Sequence, residues 1–246
     1  MKRQALSNLS LYAEDQRLDN QAVVIADGKI EKIIPSDLLD SSIESIDCMG
    51  QLLSAGFIDT QVNGGGGVMF NSQPTLAGID SIRRGHWSGG TTAMLPTLIT
   101  DTTEVMQQAV AAVALAIESQ PGILGIHLEG PHLSLPRRGV HSLEQIRPFS
   151  EATDALLEQL PAHRYLLTIA PETLEPGIIR KLSNKGIRVS AGHTNANYQQ
   201  IRDALDEGLC CFTHLYNAMT HITGREPGVV GAALEDESSY CGIIID

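Results

Sequence analysis

From Leu53 onward the chain repeats one unit: a short, nearly uninterrupted apolar run, a loop, then a helix-like stretch. The runs are LLSAGFIDTQVN, TTAMLPTLI, GILGIHLEG, YLLTIAPE, GIRVSAGHT, CCFTHLYN and YCGIIID. A strand with one wet face alternates polar and apolar residues, whereas these need cover on both faces. The stretches TEVMQQAVAAVALAIES, ATDALLEQL and ANYQQIRDALDEG can supply it, the last closing at Gly208 as helices commonly do. Strands and helices in alternation predict a parallel α/β architecture.

Before that point the texture differs. AVVIADGKIEKII reads as two strands about a turn at Asp27 and Gly28. We therefore expect two domains, a small β unit over 1–52 and a (β/α) barrel over 53–246. An eight-stranded barrel takes about 250 residues by itself, and 246 must here serve both domains. The expectation is an incomplete barrel of seven strands, the seventh running into Asp246 and the edges of the first and seventh left open. GGGG at Gly64 to Gly67 reads as a loop after the first strand.

A formal net charge of -12 argues against a nucleic-acid backbone or an anionic membrane as partner. Local cations or a metal ion can still hold an anionic small molecule. No apolar run follows Lys2 and Arg3 as a secretory signal would require, and none is long enough to span a bilayer. Cys48, Cys210, Cys211 and Cys241 show no CxxC spacing, so we expect reduced, buried thiols in a cytoplasmic protein. Strand alternation sets Cys210 and Cys211 on opposite faces, which makes them poor partners for each other.

Catalytic groups of parallel barrels gather at the carboxyl ends of strands. The first run ends in Gln61 and Asn63, the third in Glu129, the fifth in His193 and the sixth in His214. One carboxylate and two imidazoles suit a divalent ion with open positions for water and substrate. A lone histidine is more often structural and a lone strand-end glutamate more often solvated, so this pattern leaves both readings open. His127 shares a strand face with Glu129. His132, Arg137 and Arg138 read by default as solvated charges in the loop beyond, with attraction of a phosphate as the sharper alternative, and His86, His163 and His221 as surface or structural residues.

The flanking words carry more. HLEGPHLS, SAGHTNANY, FTHLYNAM and TGREPGVVGA, with GFIDTQVNGGGG and GTTAMLPTLI, together resemble the N-acetylglucosamine-6-phosphate deacetylases of the amidohydrolase superfamily. The resemblance covers the chain from end to end. It implies a metal-dependent-hydrolase TIM-like barrel, with residues 1–52 as the amino-terminal part of a small β-sandwich. It implies Glu129, His193 and His214 as ligands of one divalent ion, zinc foremost, with iron or manganese as alternatives. Where many amidohydrolases carry His-x-His on the first strand, this chain has Gln61 and Asn63. Neutral amides favour a single-metal site and can hydrogen-bond the metal's water or its ligands. Val140 and His141 match the sugar-contacting segment, Asn217 and Ala218 the pair that meets the sugar phosphate. Arg225 matches a phosphate-binding arginine that reaches a neighbouring subunit, which implies a homo-oligomer at full length.

The implied reaction is hydrolysis of the N-acetyl group of an amino-sugar 6-phosphate, yielding the amine and acetate. A metal polarises the carbonyl and lowers the pKa of bound water toward about 7. In the family an aspartate ending the eighth strand then carries the proton, and this sequence has no match for it. Asp246, ending the seventh run, is not assigned that role. We expect the metal residues without the proton-transfer residue, hence negligible turnover by this chain alone. Alternatives are the N-acetylgalactosamine 6-phosphate substrate, or a non-catalytic remnant that binds metal or sugar phosphate.

Overall fold

The structure is a computed structural model that describes residues 2–245. The chain divides into two compact units at the Gly56–Phe57 junction.

The first unit is one mixed sheet. β1 (Arg3–Ala13) pairs antiparallel with β2 (Gln16–Ala26), which pairs antiparallel with β3 (Lys29–Pro35). β4 (Glu44–Asp47) and β5 (Leu52–Ser54) both run parallel to β1. The expected turn is present: Ala26 faces Lys29, and Asp27 and Gly28 take φ of 48° and 77°. Positive φ at both central residues matches the right-handed twist of the strands they join.

The second unit opens with β6 (Phe57–Val62), so LLSAGFIDTQVN is two strands rather than one. Its first part pairs with β1 and its second with the barrel sheet, the run breaking at Ala55-Gly56 between them. A two-residue ladder follows, β7 (Gly64–Gly65) against β8 (Val68–Met69), where a loop was expected. Gly66 and Gly67 turn it with φ of 57° and 82°, a conformation glycine adopts without strain.

The remaining strands are β9 (Thr91–Ile99), β10 (Ile126–Glu129), β11 (Tyr165–Ile169), β12 (Arg188–Ala191), β13 (Cys211–Phe212) and β14 (Tyr240–Cys241). They pair in parallel and in chain order behind β6, giving the seven strands expected. Among the described residues β6 and β14 each have one neighbour in this sheet. Asp246, expected to end the last strand, lies outside the described residues.

Each connection carries a helix: α1 (Leu76–Trp87), α2 (Thr103–Ser119), α3 (Glu151–Leu157), α4 (Ile178–Lys185), α5 (Tyr198–Asp206) and α6 (Gly228–Glu235). Thr102 caps α2 through Val105 N–H, and Asn197 with Gln200 forms a capping box on α5. Helices α1, α4 and α6 escaped the pattern: α4 is only eight residues long, and α1 and α6 each hold two glycines, poor helix formers in isolation. Packing is the reason for them: a Cβ on Gly85 would meet Gly66 N at 2.5 Å, and one on Gly228 the His221 carbonyl at 2.8 Å.

The core lies between sheet and helices, with Leu128, Leu167, Ile169 and Val189 from the strands against Val110, Val113, Leu182 and Ile201. The cysteines are not part of it, contrary to expectation. Cys48, Cys210 and Cys211 are half-buried and Cys241 is exposed, though all four are free thiols. Cys210 precedes β13, so strand alternation does not separate it from Cys211; their sulfurs are 3.8 Å apart. No helix among the described residues is long and apolar enough to cross a membrane.

Candidate metal centre

Parallel strands in chain order bring their carboxyl ends to one side. Glu129 is the last residue of β10, His193 lies two residues past β12, and His214 two past β13. The histidines take φ of 48° and 36°, strained for residues with a Cβ. That backbone turns both rings onto Glu129. Nε2 of His193 lies 2.9 Å from Glu129 Oε1, Nε2 of His214 lies 3.2 Å from the same oxygen, and the two nitrogens are 3.0 Å apart. All three side chains are buried.

Burial works to raise the Glu129 carboxyl. The facing imidazoles of His141, His193 and His214 outweigh it and hold the group well below the usual carboxylate range. Tautomer logic sharpens the picture. The Arg137 carbonyl, which only accepts, is 2.8 Å from His193 Nδ1, so that nitrogen carries the hydrogen. In the neutral ring Nε2 is then a lone pair aimed at a carboxylate oxygen. Electron-pair donors in mutual contact repel unless a cation sits among them.

A divalent ion fits. Atoms that each lie about 2.0–2.2 Å from one ion can be at most about 4.4 Å apart, and these three lie within 3.2 Å of one another. They are the group of three His, Cys, Asp or Glu residues among the described ones whose ligand atoms meet this closely. Their donor set, two imidazoles and one carboxylate, suits zinc, iron or manganese.

The other expected residues divide. Gln61 joins the group: its Nε2 donates to Glu129 Oε2 at 3.1 Å. His141 also joins it, buried, with Nε2 3.7 Å from Glu129 Oε1. Asn63 is half-buried and accepts from Phe70 N–H through its carbonyl. Asn217 and Ala218 touch the two histidine segments through main chain only: Asn217 N–H donates to the His214 carbonyl and Thr194 N–H to the Ala218 carbonyl. Val140 is 85% exposed, and Arg225 is exposed with no hydrogen bond among the described residues.

His132 corrects an expectation. It is buried, stacked near Phe149, and its Nδ1 meets the Arg147 carbonyl at 2.9 Å. Burial pushes its ring down to about 4, so it is neutral rather than a solvated charge. His86 is structural, its Nε2 2.8 Å from the Gly64 carbonyl.

A polar layer beneath the centre went unread in the sequence. His127 joins Thr97 Oγ1 at 3.3 Å to Thr168 Oγ1 at 2.7 Å; Thr168 continues to Thr213 and on to Ser190. Thr97 also accepts from Val62 N–H. Five strands, β6 and β9 to β12, are thereby tied together and to Thr213 just past β13. Buried polar groups tolerate this only when fully paired. Thr100, just past the tip of β9, was missed too; its place at a strand end was the available signal.

Comparisons with known proteins identify the family. Residues 4–53 match the NagA composite domain model, and residues 52–236 match the amidohydrolase family model. An N-acetylgalactosamine-6-phosphate deacetylase of Shewanella sp. (strain ANA-3) is 51% identical over 79% of this chain and 50% of its own length. An N-acetylglucosamine-6-phosphate deacetylase of Haemophilus influenzae is 40% identical over 98% of this chain and 64% of its own. The crystal structure of N-acetylglucosamine-6-phosphate deacetylase from Pasteurella multocida superposes with a TM-score of 0.93 at 37% identity, covering 99% of this chain and 65% of that one. The chain thus spans between half and two thirds of the length of these relatives. With a family match over residues 52–236 on a sheet of parallel strands in chain order, the chain belongs to the amidohydrolase family.

Proposed function

We propose that this chain carries the metal-holding and sugar-phosphate-binding part of a deacetylase that releases acetate from N-acetylglucosamine 6-phosphate. The observation that carries the reading is the meeting of Glu129 Oε1 with the Nε2 atoms of His193 and His214 at 2.9 and 3.2 Å. Those three residues would hold one divalent ion, zinc foremost with iron or manganese as alternatives. Such an ion polarises an amide carbonyl and acidifies water.

The chain's own groups supply the rest of the binding. Gln61 steadies Glu129 through Oε2. His141 offers a ring N–H to the acyl or sugar oxygen. Arg225, an exposed guanidinium, can fork two donors onto phosphate oxygens, including those held by a neighbouring subunit of a homo-oligomer. Val140, Asn217 and Ala218 frame the sugar. A carboxylate must also carry the proton to the leaving nitrogen. The aspartate that the resemblance provides for this has no match in residues 1–246, so we assign proton transfer to none of the residues described.

A second reading takes N-acetylgalactosamine 6-phosphate as substrate. The 51% identity to a relative of that name favours it.

The test is metal content followed by turnover. The purified chain should hold about one zinc ion, and Glu129→Gln should lose it while remaining folded by circular dichroism. Acetate release should be negligible from this chain and clear from a version extended to the relatives' length. The faster of the two sugars decides between the readings. A folded chain that takes up no divalent ion would overturn both.

A further inference from the structure

His141 stands beside His193, ring centroids 4.3 Å apart and edge to face, and its Nε2 faces the same Glu129 oxygen. Proximity does not explain why one imidazole should ligate and its neighbour should not. Two main-chain groups do. A main-chain N–H only donates and a carbonyl only accepts.

Thr100 N–H donates to His141 Nδ1 at 3.3 Å, and the Thr100 hydroxyl lies 2.8 Å from the same nitrogen. Nδ1 is therefore an acceptor, and the hydrogen of the neutral ring resides on Nε2. At His193 the Arg137 carbonyl reverses this, leaving Nε2 bare. Neighbouring rings are thus held in opposite tautomers by backbone groups from two different loops.

We propose that Thr100 is a positioning residue. It fixes His141 as the Nε2–H tautomer, which bars that nitrogen from the ligand set and reserves it as a hydrogen-bond donor to the substrate's acyl or sugar oxygen. The substrate part rests on the deacetylase reading; the tautomer does not.

The surroundings are built for this contact. Thr100 is 5% exposed, and Ile99 before it pairs with Glu129, which sets Thr100 beside Gly130. A Cβ on Gly130 would lie 2.2 Å from Thr100 Oγ1, and Gly130 has φ of +93°. The missing side chain leaves the space that the hydroxyl fills. At 3.7 Å, His141 Nε2 is too far from Glu129 Oε1 for a full hydrogen bond, so its hydrogen remains available.

Ring-nitrogen NMR on the 15N-histidine-labelled chain tests this, with His141 assigned from a His141→Asn variant. The expected result is an unprotonated Nδ1 and a protonated Nε2 at His141, unmoved by zinc, while the Nε2 signals of His193 and His214 shift on zinc addition. Thr100→Val removes the hydroxyl but keeps the main-chain N–H, so the single Nε2–H tautomer of His141 should survive it. A protonated Nδ1 at His141, alone or in a mixture, in the unsubstituted chain or in a folded Thr100→Val, overturns the proposal. Should zinc move no histidine signal while His141 keeps its Nε2–H form, the metal reading fails and the tautomer assignment stands.

Discussion

The amide of Gln61 donates to Glu129 Oε2 at 3.1 Å, while Oε1 of the same carboxylate faces both His193 and His214. The two oxygens are thereby given different tasks, one held and one presented. Groups that orient a ligand typically matter about 10–100-fold to metal affinity. Gln61→Ala should weaken zinc binding by that range, measured by competition with a chromophoric chelator. An unchanged affinity would mean that Glu129 needs no orienting partner.

His127 and His132 are both buried, and burial pushes each ring down to about 4. An unfolded histidine titrates near 6.5, so the unfolded chain takes up these protons first as pH falls. Stability is therefore full above about pH 6.5, declines toward pH 4 and levels off below. Each ring accounts for about 3 kcal/mol across that window. Urea midpoints of the chelator-treated chain at pH 7.5 and 4.5 should differ accordingly. His132→Phe, packed against Phe149, should narrow the difference; an equal difference would refute the assignment to His132.

The Cys211 thiol beside Cys210 lowers the Cys210 thiol below its ordinary value, against the effect of burial. The thiolate fraction of Cys210 at neutral pH rises with it. Alkylation by iodoacetamide at pH 7 should slow about threefold at Cys210 in Cys211→Ala, because the thiolate fraction falls faster than nucleophilicity rises. Peptide mass mapping would read it, and an unaltered rate would rule out the pairing.

Leu167 in β11 is fully buried at the centre of the sheet, whereas Leu115 on α2 is 62% exposed. Leu167→Ala should cost about 2–5 kcal/mol from lost burial and the cavity left behind. Leu115→Ala should stay within about 0.5 kcal/mol. Chemical denaturation of the pair, with equal losses, would contradict the layer assignment.

Local pattern made most of the architecture readable. The apolar runs ending at Ile99, Glu129 and Ile169 became consecutive parallel strands, and the turn at Asp27-Gly28 formed as its sequence dictates. Where local chemistry and packing disagreed, packing prevailed. Helices α1 and α6 hold glycines that weaken a free helix but allow backbones to approach within the fold. Cys210 and Cys211 resemble core residues in the sequence, yet one precedes and the other begins a two-residue strand next to the last strand among the described residues.

The sequence by itself determined the alternation of strand and helix, and the residue types at each strand tip, since both follow from hydrophobic period and chain order. Only the tertiary structure decided what those tips do. Glu129 meets His193 and His214 across 64 and 85 residues, and Thr100 reaches His141 across 41. Contacts of that span leave no local period to read. They exist because a parallel sheet carries distant strand ends to one side, where burial makes every unpaired donor or acceptor costly.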